Sequence, residues 1–316
     1  MTINLYQDPI SSYRESDTDD DLDNEIAELE RKLAAAKAKR CKHPRSRLEG
    51  DDSSSTSSPE QPLLAPNLPN HFHLLLSDSA LPLGSFAFSS GLESYLAHGH
   101  KSNPYHPHTS FAAFLPLSIS SYASTTLPFV LSAHRDPSLS NLVELDDAQD
   151  ASIICTVGRR ASVAQGRALL GIWERSFSQS LPPLGSSVVT AAQMGDLKAF
   201  GLLVKRGSSK EIPDASAHLA PLFGAICSVV GLGLQQTAYI FLFGHVKALV
   251  SAAVRAGMFG PYQAQKILAG ETVQELITEM IKREWGTKVE RAGQNVPVMD
   301  LWFGRHEVLY SRIFNS

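Results

Sequence analysis

Apolar residues recur at helical spacing along most of this chain, and that periodicity limits its fold more than any other feature. From residue 71 onward they repeat every three to four positions, as in the stripe Val273, Leu276, Ile277 and Met280. The alternation of apolar and polar residues that half-buried strands require does not persist anywhere beside hairpin turns. The sequence therefore predicts an all-α protein built as a helical bundle.

Proline and glycine residues divide this pattern into separate helices. A short apolar helix or turn is expected at Leu74–Leu76, and another helix begins near Gly91. The longer expected helices are 109–134, with a kink at Pro116, then 150–177, 186–205, 215–231, 234–256, 262–284 and 298–313.

Residues 1–69 differ in composition from the rest of the chain. They contain an acidic run at Asp17–Asp23 and an Asp/Ser/Pro tract at Asp51–Pro59. Such composition buries too little apolar surface to offset the entropy lost on ordering the chain. We therefore expect a disordered, low-complexity extension over 1–69 with one short helix at about 24–40. A single helical-bundle domain is expected over 70–316.

Charge and cysteine content narrow the possible partners and compartments. The net charge of −4 is too small to predict a nucleic-acid partner. The three cysteines, Cys41, Cys155 and Cys227, are far apart and form no CxxC pair. Neither a disulfide framework nor a structural zinc site is therefore expected. Because the N-terminus resembles neither a signal peptide nor a transit peptide, we expect a cytoplasmic protein. From the small net charge, we also expect a protein that binds no nucleic acid.

The very apolar segment Leu219–Arg255 raises the alternative of a membrane hairpin. A helix that spans a bilayer needs about 20 mostly apolar residues. However, His245 and Lys247 interrupt this segment, and Gly231 and Gly233 divide it into two shorter helices. Two core helices of a soluble bundle are therefore expected, without a membrane partner.

Sequence motifs that carry catalysis or nucleotide binding are absent. The sequence contains no GxxxxGKS/T, GxGxxG, HExxH or GxSxG pattern. The segment Gly84–Gly91 is rich in Gly and Ser but matches neither a phosphate-binding loop nor a nucleophile elbow. The chain is therefore expected not to be an enzyme and not to hydrolyse GTP itself.

Histidine is the residue type that leaves metal chemistry open. Three His-x-His pairs occur, including His106 and His108, and imidazole is a suitable ligand for nickel and zinc. His218, Cys227 and His245 belong to the apolar helices, where core histidines and small buried thiols are common. These five residues are the metal candidates. We expect no stably bound cofactor, although a transient nickel contact is compatible with them.

One string near the start of the helical part is more specific than any motif above. It runs HLLLSDSALPLGSF from His73 to Phe86 and continues as FSSGLE from Phe88 to Glu93. Further strings follow: LDD at 145–147, RRASVAQGRALL at 159–170, an apolar helix at 218–231, LVSAAVR at 249–255 and GRHEVLYSRIFNS at 304–316. In this order they resemble the motifs of the urease accessory protein UreF family. The chain looks like a eukaryotic, fungal-like member with an N-terminal extension.

This resemblance covers about residues 70–316 and implies both a fold and a function. It implies an all-α homodimer that binds a second scaffold protein, UreD (also called UreH), and the GTPase UreG. In the family, that complex acts as a chaperone that delivers nickel to apo-urease in a GTP-dependent step. Family members use the Gly-Ser loop and the C-terminal tail for partner contacts. The matching positions here are Gly84, Ser85, Phe86, Ser89, Glu93, Arg255, His306 and Arg312.

The sequence departs from the family pattern at three places. Residues 1–69 have no counterpart, Phe86 stands where some members have tyrosine, and Ile313 replaces the usual leucine. A contact that needs a hydroxyl group at position 86 is therefore in doubt. The alternative function is a helical metal-binding protein or metal-dependent enzyme that uses the His-x-His pairs.

Overall fold

The computed structural model describes residues 28, 31–32, 68–78, 81, 84–99, 110–181, 188–207, 210 and 213–315. Its contacts divide the chain into two units, Met1–Leu63 and Leu64–Ser316. In the first unit, Lys32 Nζ lies 2.8 Å from Glu28 Oε1 one helical turn earlier. The rest of the helix expected at 24–40 lies outside the described residues. The fold and the site below belong to the second unit.

The described part of the second unit is helical and contains no strand, so the all-α prediction is confirmed. Its α-helices are α1 (Leu68–Leu76), α2 (Leu92–Gly99), α3 (Phe111–Arg135), α4 (Leu139–Ser152), α5 (Thr156–Ile172), α6 (Val188–Gly207), α7 (Leu219–Val229), α8 (Leu234–Arg255), α9 (Pro261–Ala269), α10 (Glu271–Glu284) and α11 (Pro297–Arg305). A π-helical turn at Trp173–Phe177 and one α-helical turn at Ser178–Ser180 follow α5. Three 3₁₀ turns occur at Ser85–Ala87, Val289–Arg291 and His306–Val308.

Helix α3 lies at the centre of the bundle and packs against α7, α8 and α10. Its contact with α7 is very close, because a Cβ atom at Gly224 would lie 2.2 Å from the carbonyl oxygen of Val130. Only glycine permits that approach. Leu127 of α3 and Ile226 of α7 are fully buried in the shared core. The Ser110 side chain caps α3 by accepting a hydrogen bond from the backbone N–H of Ala113.

Two left-handed glycines end the apolar helices, as the sequence predicts. Gly231 follows α7 with a φ of 83°, and Gly257 follows α8 with a φ of 75°. In both turns the next residue donates its N–H back to the helix, Leu232 to Cys227 and Met258 to Ala253. These bonds form Schellman-type ends, which glycine favours because it lacks a Cβ atom.

The prediction of one continuous helix over 150–177 is wrong. Helix α4 runs to Ser152, residues 153–155 are extended, and α5 begins at Thr156 with Cys155 at its N-cap. No proline or glycine marks this break. The two β-branched residues Ile153 and Ile154 are the local signal, since branching at Cβ weakly disfavours helix.

Two other predicted helices are shorter than expected. Gly270 divides the segment 262–284 into α9 and α10 and has the extended backbone of a helix N-cap. The last segment, 298–313, is helical only as far as Arg305, with a 3₁₀ turn at His306–Val308. Beyond that turn the chain is irregular because it folds back against the rest of the protein, as described below.

Two described helices, α3 and α8, are long and apolar enough to cross a membrane by length and composition alone. Within the fold, 67% of the apolar window of α3 and 61% of that of α8 is buried. Burial in the bundle accounts for the apolar character of both helices, as expected of core helices.

Candidate functional site

The C-terminal tail folds back onto the Gly-Ser loop, and Glu93 at the start of α2 holds it there. One Glu93 carboxylate oxygen accepts a hydrogen bond from the N–H of Ile313 at 2.6 Å, and the other accepts one from Phe314 at 3.2 Å. The Glu93 side chain is only 11% exposed. Hydrogen bonds to an ionised and shielded carboxylate are about twice as strong as neutral ones. We call this arrangement of 84–93 and 306–315 the loop–tail cluster.

The loop has the turn geometry that its glycines permit. Gly84 and Gly91 adopt left-handed backbone conformations, with φ values of 84° and 83°. Between them a 3₁₀ turn exposes the carbonyl oxygen of Ala87, which accepts a hydrogen bond from the N–H of Asn315 at 2.7 Å. The buried Ser89 hydroxyl accepts a hydrogen bond from the N–H of Glu93 at 3.3 Å and so helps to fix the start of α2.

Arg255, the last residue of α8, joins the loop to the tail. Its guanidinium carbon lies 4.5 Å from the ring centroid of Phe314 and 5.9 Å from that of Phe86. Both distances are within the range of cation–π attraction. Phe314 is buried, whereas Phe86 is 62% exposed. Arg255 therefore contributes to the cluster through its contact with two aromatic rings and not simply as a charge at a helix end.

His306 is completely buried beneath the tail. Its Nε2 atom lies 3.1 Å from the carbonyl oxygen of Phe314, and its Nδ1 atom lies 3.7 Å from a carboxylate oxygen of Glu93. Burial lowers the pKa of His306, while the negative charge of Glu93 opposes that shift. In the neutral form, Nε2–H donates to Phe314, and the ring fixes the curve of the tail.

An ion-pair network borders the cluster where the tail passes α5. Glu307 accepts hydrogen bonds from Arg160 and from Arg312, which lies five residues further along the tail. The hydrogen bond from Arg160 lowers the pKa of the Glu307 carboxyl. These side chains are substantially exposed, so each pair contributes little to stability. The pair with Arg160 joins the tail to α5.

The same tail presents apolar side chains to solvent. Val308 is 73% exposed, Ile313 is 67% exposed and Tyr310 is fully exposed. Large exposed apolar groups that lie close together are typical of protein–protein contact surfaces. The cluster therefore has an inner layer that holds the tail in place and an outer layer that is available for contact.

The predicted partner-contact residues occupy both layers. Those used within the chain are Ser89, Glu93, Arg255 and His306, while Phe86 and Arg312 reach the surface. Gly84 and Ser85 form the turn that begins the loop. Sequence reasoning missed Glu307, although its position between Arg305 and Arg312 in the C-terminal string was a signal.

The metal candidate His218 has a structural position in the fold. Its Nδ1 atom lies 3.0 Å from the hydroxyl of Ser162, and its Nε2 atom lies 3.0 Å from a carboxylate oxygen of Asp150. Both ring nitrogens therefore have partners inside the protein. The backbone N–H groups of Ser216, Ala217 and His218 all donate to the buried carboxylate of Asp146.

Cys227 and His245 are also enclosed by the core. Cys227 is fully buried in α7, and burial raises the pKa of its thiol. The His245 ring stacks on Tyr122 at 3.9 Å, and its Nε2 atom lies 3.0 Å from the Ser118 hydroxyl. Burial lowers the pKa of His245 to about 3, so it is neutral at physiological pH.

Among the described residues, no three His, Cys, Asp or Glu side chains are grouped so that they could hold a metal ion. His106 and His108 lie outside the described residues. A transient nickel contact at the five candidate residues stays a prediction.

Comparisons with known proteins identify the family of this chain. The family model described as UreF matches residues 106–270. The chain is 36% identical over 246 residues to an uncharacterized urease accessory protein UreF-like of Schizosaccharomyces pombe, and the match covers 78% of this chain and 97% of that protein. It is 32% identical over 244 residues to urease accessory protein F of Oryza sativa subsp. indica, and this match covers 76% of this chain and 82% of that protein. It is 30% identical over 242 residues to urease accessory protein F of Arabidopsis thaliana, and this match covers 76% of this chain and 90% of that protein. The chain therefore belongs to the UreF family of urease accessory proteins.

Proposed function

We propose that this chain is a non-enzymatic scaffold in urease maturation and that the loop–tail cluster is its docking surface. The partners are a UreD/UreH-type scaffold protein and a UreG-type GTPase. Together they promote GTP-dependent insertion of nickel into apo-urease, with nickel as a transient cargo. The chain acts in the cytoplasm as a homodimer. Family membership supports the coarse role, and the geometry of the cluster supports the choice of surface.

The observation that carries this proposal is the pair of hydrogen bonds by which Glu93 holds the tail. A free C-terminal tail would lose conformational entropy on binding a partner, at a cost of about 0.5–1.5 kcal/mol for each flexible side chain that is immobilised. Here Glu93 binds two successive tail N–H groups, and His306 binds the carbonyl oxygen of Phe314. The backbone of the tail is therefore held before any partner arrives, and the side chains of Tyr310 and Ile313 face solvent.

Co-purification with the UreD and UreG homologues of the same organism tests the proposal. We expect Tyr310→Ser combined with Ile313→Ser to weaken capture of the partners about tenfold or more, since buried aromatic and aliphatic anchors dominate interface energies. Leu202→Ser is the matched control, because Leu202 is an exposed apolar residue of α6. If the tail variant captured both partners as well as the unchanged chain does, the tail would not be the docking surface. If the unchanged chain bound neither partner, the proposed function would fail.

A further inference from the structure

A shallow depression of about 420 Å³ lies along helix α5 and is open to solvent. Residues spaced three or four positions apart lie on the same side of a helix, and six lining residues follow that spacing on α5. They are Thr156, Arg159, Arg160, Val163, Ala164 and Arg167. Asp150 of α4 and Ser216, which precedes α7, complete the described wall. We call this area the arginine depression.

The spacing of Arg160 and Arg167 gives the arginine depression its shape. Seven positions separate the two exposed residues, which is two helical turns or about 10.5 Å along the axis. Val163 and Ala164 lie between them in the helix and also line the depression. Two guanidinium groups therefore flank a small apolar floor.

Positive charge exceeds negative charge in this area. Helix α5 carries three arginines and no Asp or Glu. Asp150 is the one carboxylate among the described lining residues. One of its oxygens lies 3.0 Å from His218 Nε2, and the other lies 3.6 Å from a terminal nitrogen of Arg159. Asp150 therefore compensates Arg159 and leaves Arg160 and Arg167 for a ligand.

Arg167 has hydrogen-bond donors that the fold does not use. An arginine carries five N–H groups. The Nε–H of Arg167 donates to the carbonyl oxygen of Ser216 at 3.1 Å, which orients the guanidinium beside the depression. Among the described residues, nothing accepts a hydrogen bond from its two terminal nitrogens. A carboxylate from another molecule can bind there through its oxygens.

Arg160 is engaged by a carboxylate, but in an exchangeable way. It donates to Glu307 of the tail, and both side chains are substantially exposed. Exposed ion pairs contribute little to stability because water and salt screen them. A second carboxylate can therefore join or replace Glu307 at Arg160 at little cost.

We propose that the arginine depression binds an acidic segment of another protein, with two carboxylates about 10 Å apart and an apolar side chain between them. One carboxylate pairs with Arg167 and the other with Arg160, while the apolar side chain lies against Val163 and Ala164. Paired hydrogen bonds between arginine and carboxylate give both strength and a defined orientation. The proposal is independent of the docking surface on the tail and of the partners assigned to it.

The composition of the depression favours a protein segment over a nucleic acid. A nucleic acid presents a continuous row of phosphates, and proteins bind it by neutralising several of them with basic residues. Here two arginines are left for the ligand, an apolar floor lies between them, and the chain as a whole has a net charge of −4.

Fluorescence anisotropy of a labelled peptide tests this proposal on the full chain. The probe is a helical peptide of Glu, Ala and Leu in which glutamates lie two turns apart on either side of a leucine. The control peptide has glutamine in place of each glutamate. We expect saturable binding of the acidic peptide that is about tenfold or more tighter than that of the control peptide. Added salt should weaken this binding, because the contacts join exposed charges.

Two double variants locate the binding site. Arg160→Gln combined with Arg167→Gln should weaken binding of the acidic peptide about tenfold or more. Arg175→Gln combined with Arg291→Gln removes the same charge at exposed positions outside the depression and should change binding by less than about twofold. Ala164→Glu places a negative charge on the exposed floor and keeps all three arginines, and it should abolish binding. This variant carries the test if the first double variant does not fold, as judged by circular dichroism.

Several outcomes would overturn the proposal. These are no saturable binding of the acidic peptide, equal binding of the two peptides, equal effects of the two double variants, or unchanged binding to Ala164→Glu. Tighter binding of a single-stranded oligonucleotide of the same charge would also overturn it, because that result would assign the depression to nucleic acid.

Discussion

Glu93, which the family resemblance predicts to contact a partner, also shapes the surface that we propose for docking. Its carboxylate is used inside the chain, on the N–H groups of Ile313 and Phe314. The sequence motif could indicate that Glu93 is important but not where its oxygens point, because its hydrogen-bond partners lie 220 and 221 residues away. Arg255 and His306 also hold the tail within the chain, although Arg255 is exposed and His306 is buried.

We expect Glu93→Gln to loosen the tail without unfolding the bundle. The amide keeps the shape of the side chain but loses the charge, and hydrogen bonds to charged groups are worth about 1.5–3 kcal/mol each against about 1 for neutral ones. Hydrogen exchange at the amides of Ile313 and Phe314 should therefore accelerate about tenfold or more, while exchange within α7 stays unchanged. Glu279→Gln, at an exposed position of α10, is the control. Equal tail protection in the two variants would show that Glu93 does not hold the tail.

His245 predicts a specific dependence of stability on pH. Its pKa is about 3 in the fold, compared with an ordinary value near 6.5. The unfolded chain therefore takes up this proton first, so the stabilisation is complete above about pH 6.5 and is lost as the pH falls. Between about pH 6.5 and pH 3, the free energy of unfolding should decrease by about 1.4 kcal/mol for each pH unit because of this group.

Denaturant unfolding at a series of pH values measures this effect. His245→Gln should flatten the decrease below pH 6.5, although His134 and His306, whose pKa values are also lowered, leave part of it. His71→Gln, at an exposed position of α1, is the control and should keep the full decrease. Parallel curves for His245→Gln and the unchanged chain would mean that His245 is not buried in its neutral form.

At the level of elements, the sequence predicts which segments are helical better than where the helices break. The helix ends at Gly231 and Gly257 could be predicted from the sequence, because glycine favours the left-handed backbone conformation found there. The break at 153–155 carries no such residue, and its local signal, the two β-branched residues Ile153 and Ile154, is too weak to predict it. It arises from tertiary contacts, because Asp150 and Ser162 on either side of it both contact the His218 ring.

Helix α5 packs tightly against the segment before α7, and this close contact depends on Gly166. A Cβ atom at that position would lie 2.1 Å from the carbonyl oxygen of Ala217, a contact that cannot exist without movement of the backbone. Asp146 holds the same segment through its hydrogen bonds to three successive N–H groups. The family motifs that contain Asp146, Gly166 and His218 therefore describe one structural contact.

We expect Gly166→Ala to destabilise the protein by about 2 kcal/mol or more, as a steric clash in a packed site does. Gly171→Ala is the control, because it lies in the same helix and a Cβ atom there meets nothing within 4 Å. The control should be neutral or stabilise the protein by up to about 1 kcal/mol through helix propensity. Thermal and denaturant unfolding measure both changes, and equal effects would contradict the close approach.

For the molecule as a whole, periodicity predicted the fold class, and ordered motifs predicted the family. The layout of the site was beyond the sequence because it joins a loop near residue 90, the end of α8 and the C-terminal tail. Nothing local fixes such contacts, which arise only when the bundle brings three distant segments together.

We propose that this chain supports urease maturation through the exposed face of its loop–tail cluster. The most direct measurement is urease activity in cells of the source organism that lack this chain. The cells are complemented with the unchanged chain, with Tyr310→Ser combined with Ile313→Ser, or with Leu202→Ser, and are grown with and without added nickel. We predict full activity with the unchanged chain and with Leu202→Ser. Cells with the tail variant should lose activity while the amount of urease protein stays the same. Full activity with the tail variant, or in cells without the chain at normal nickel, would contradict the account.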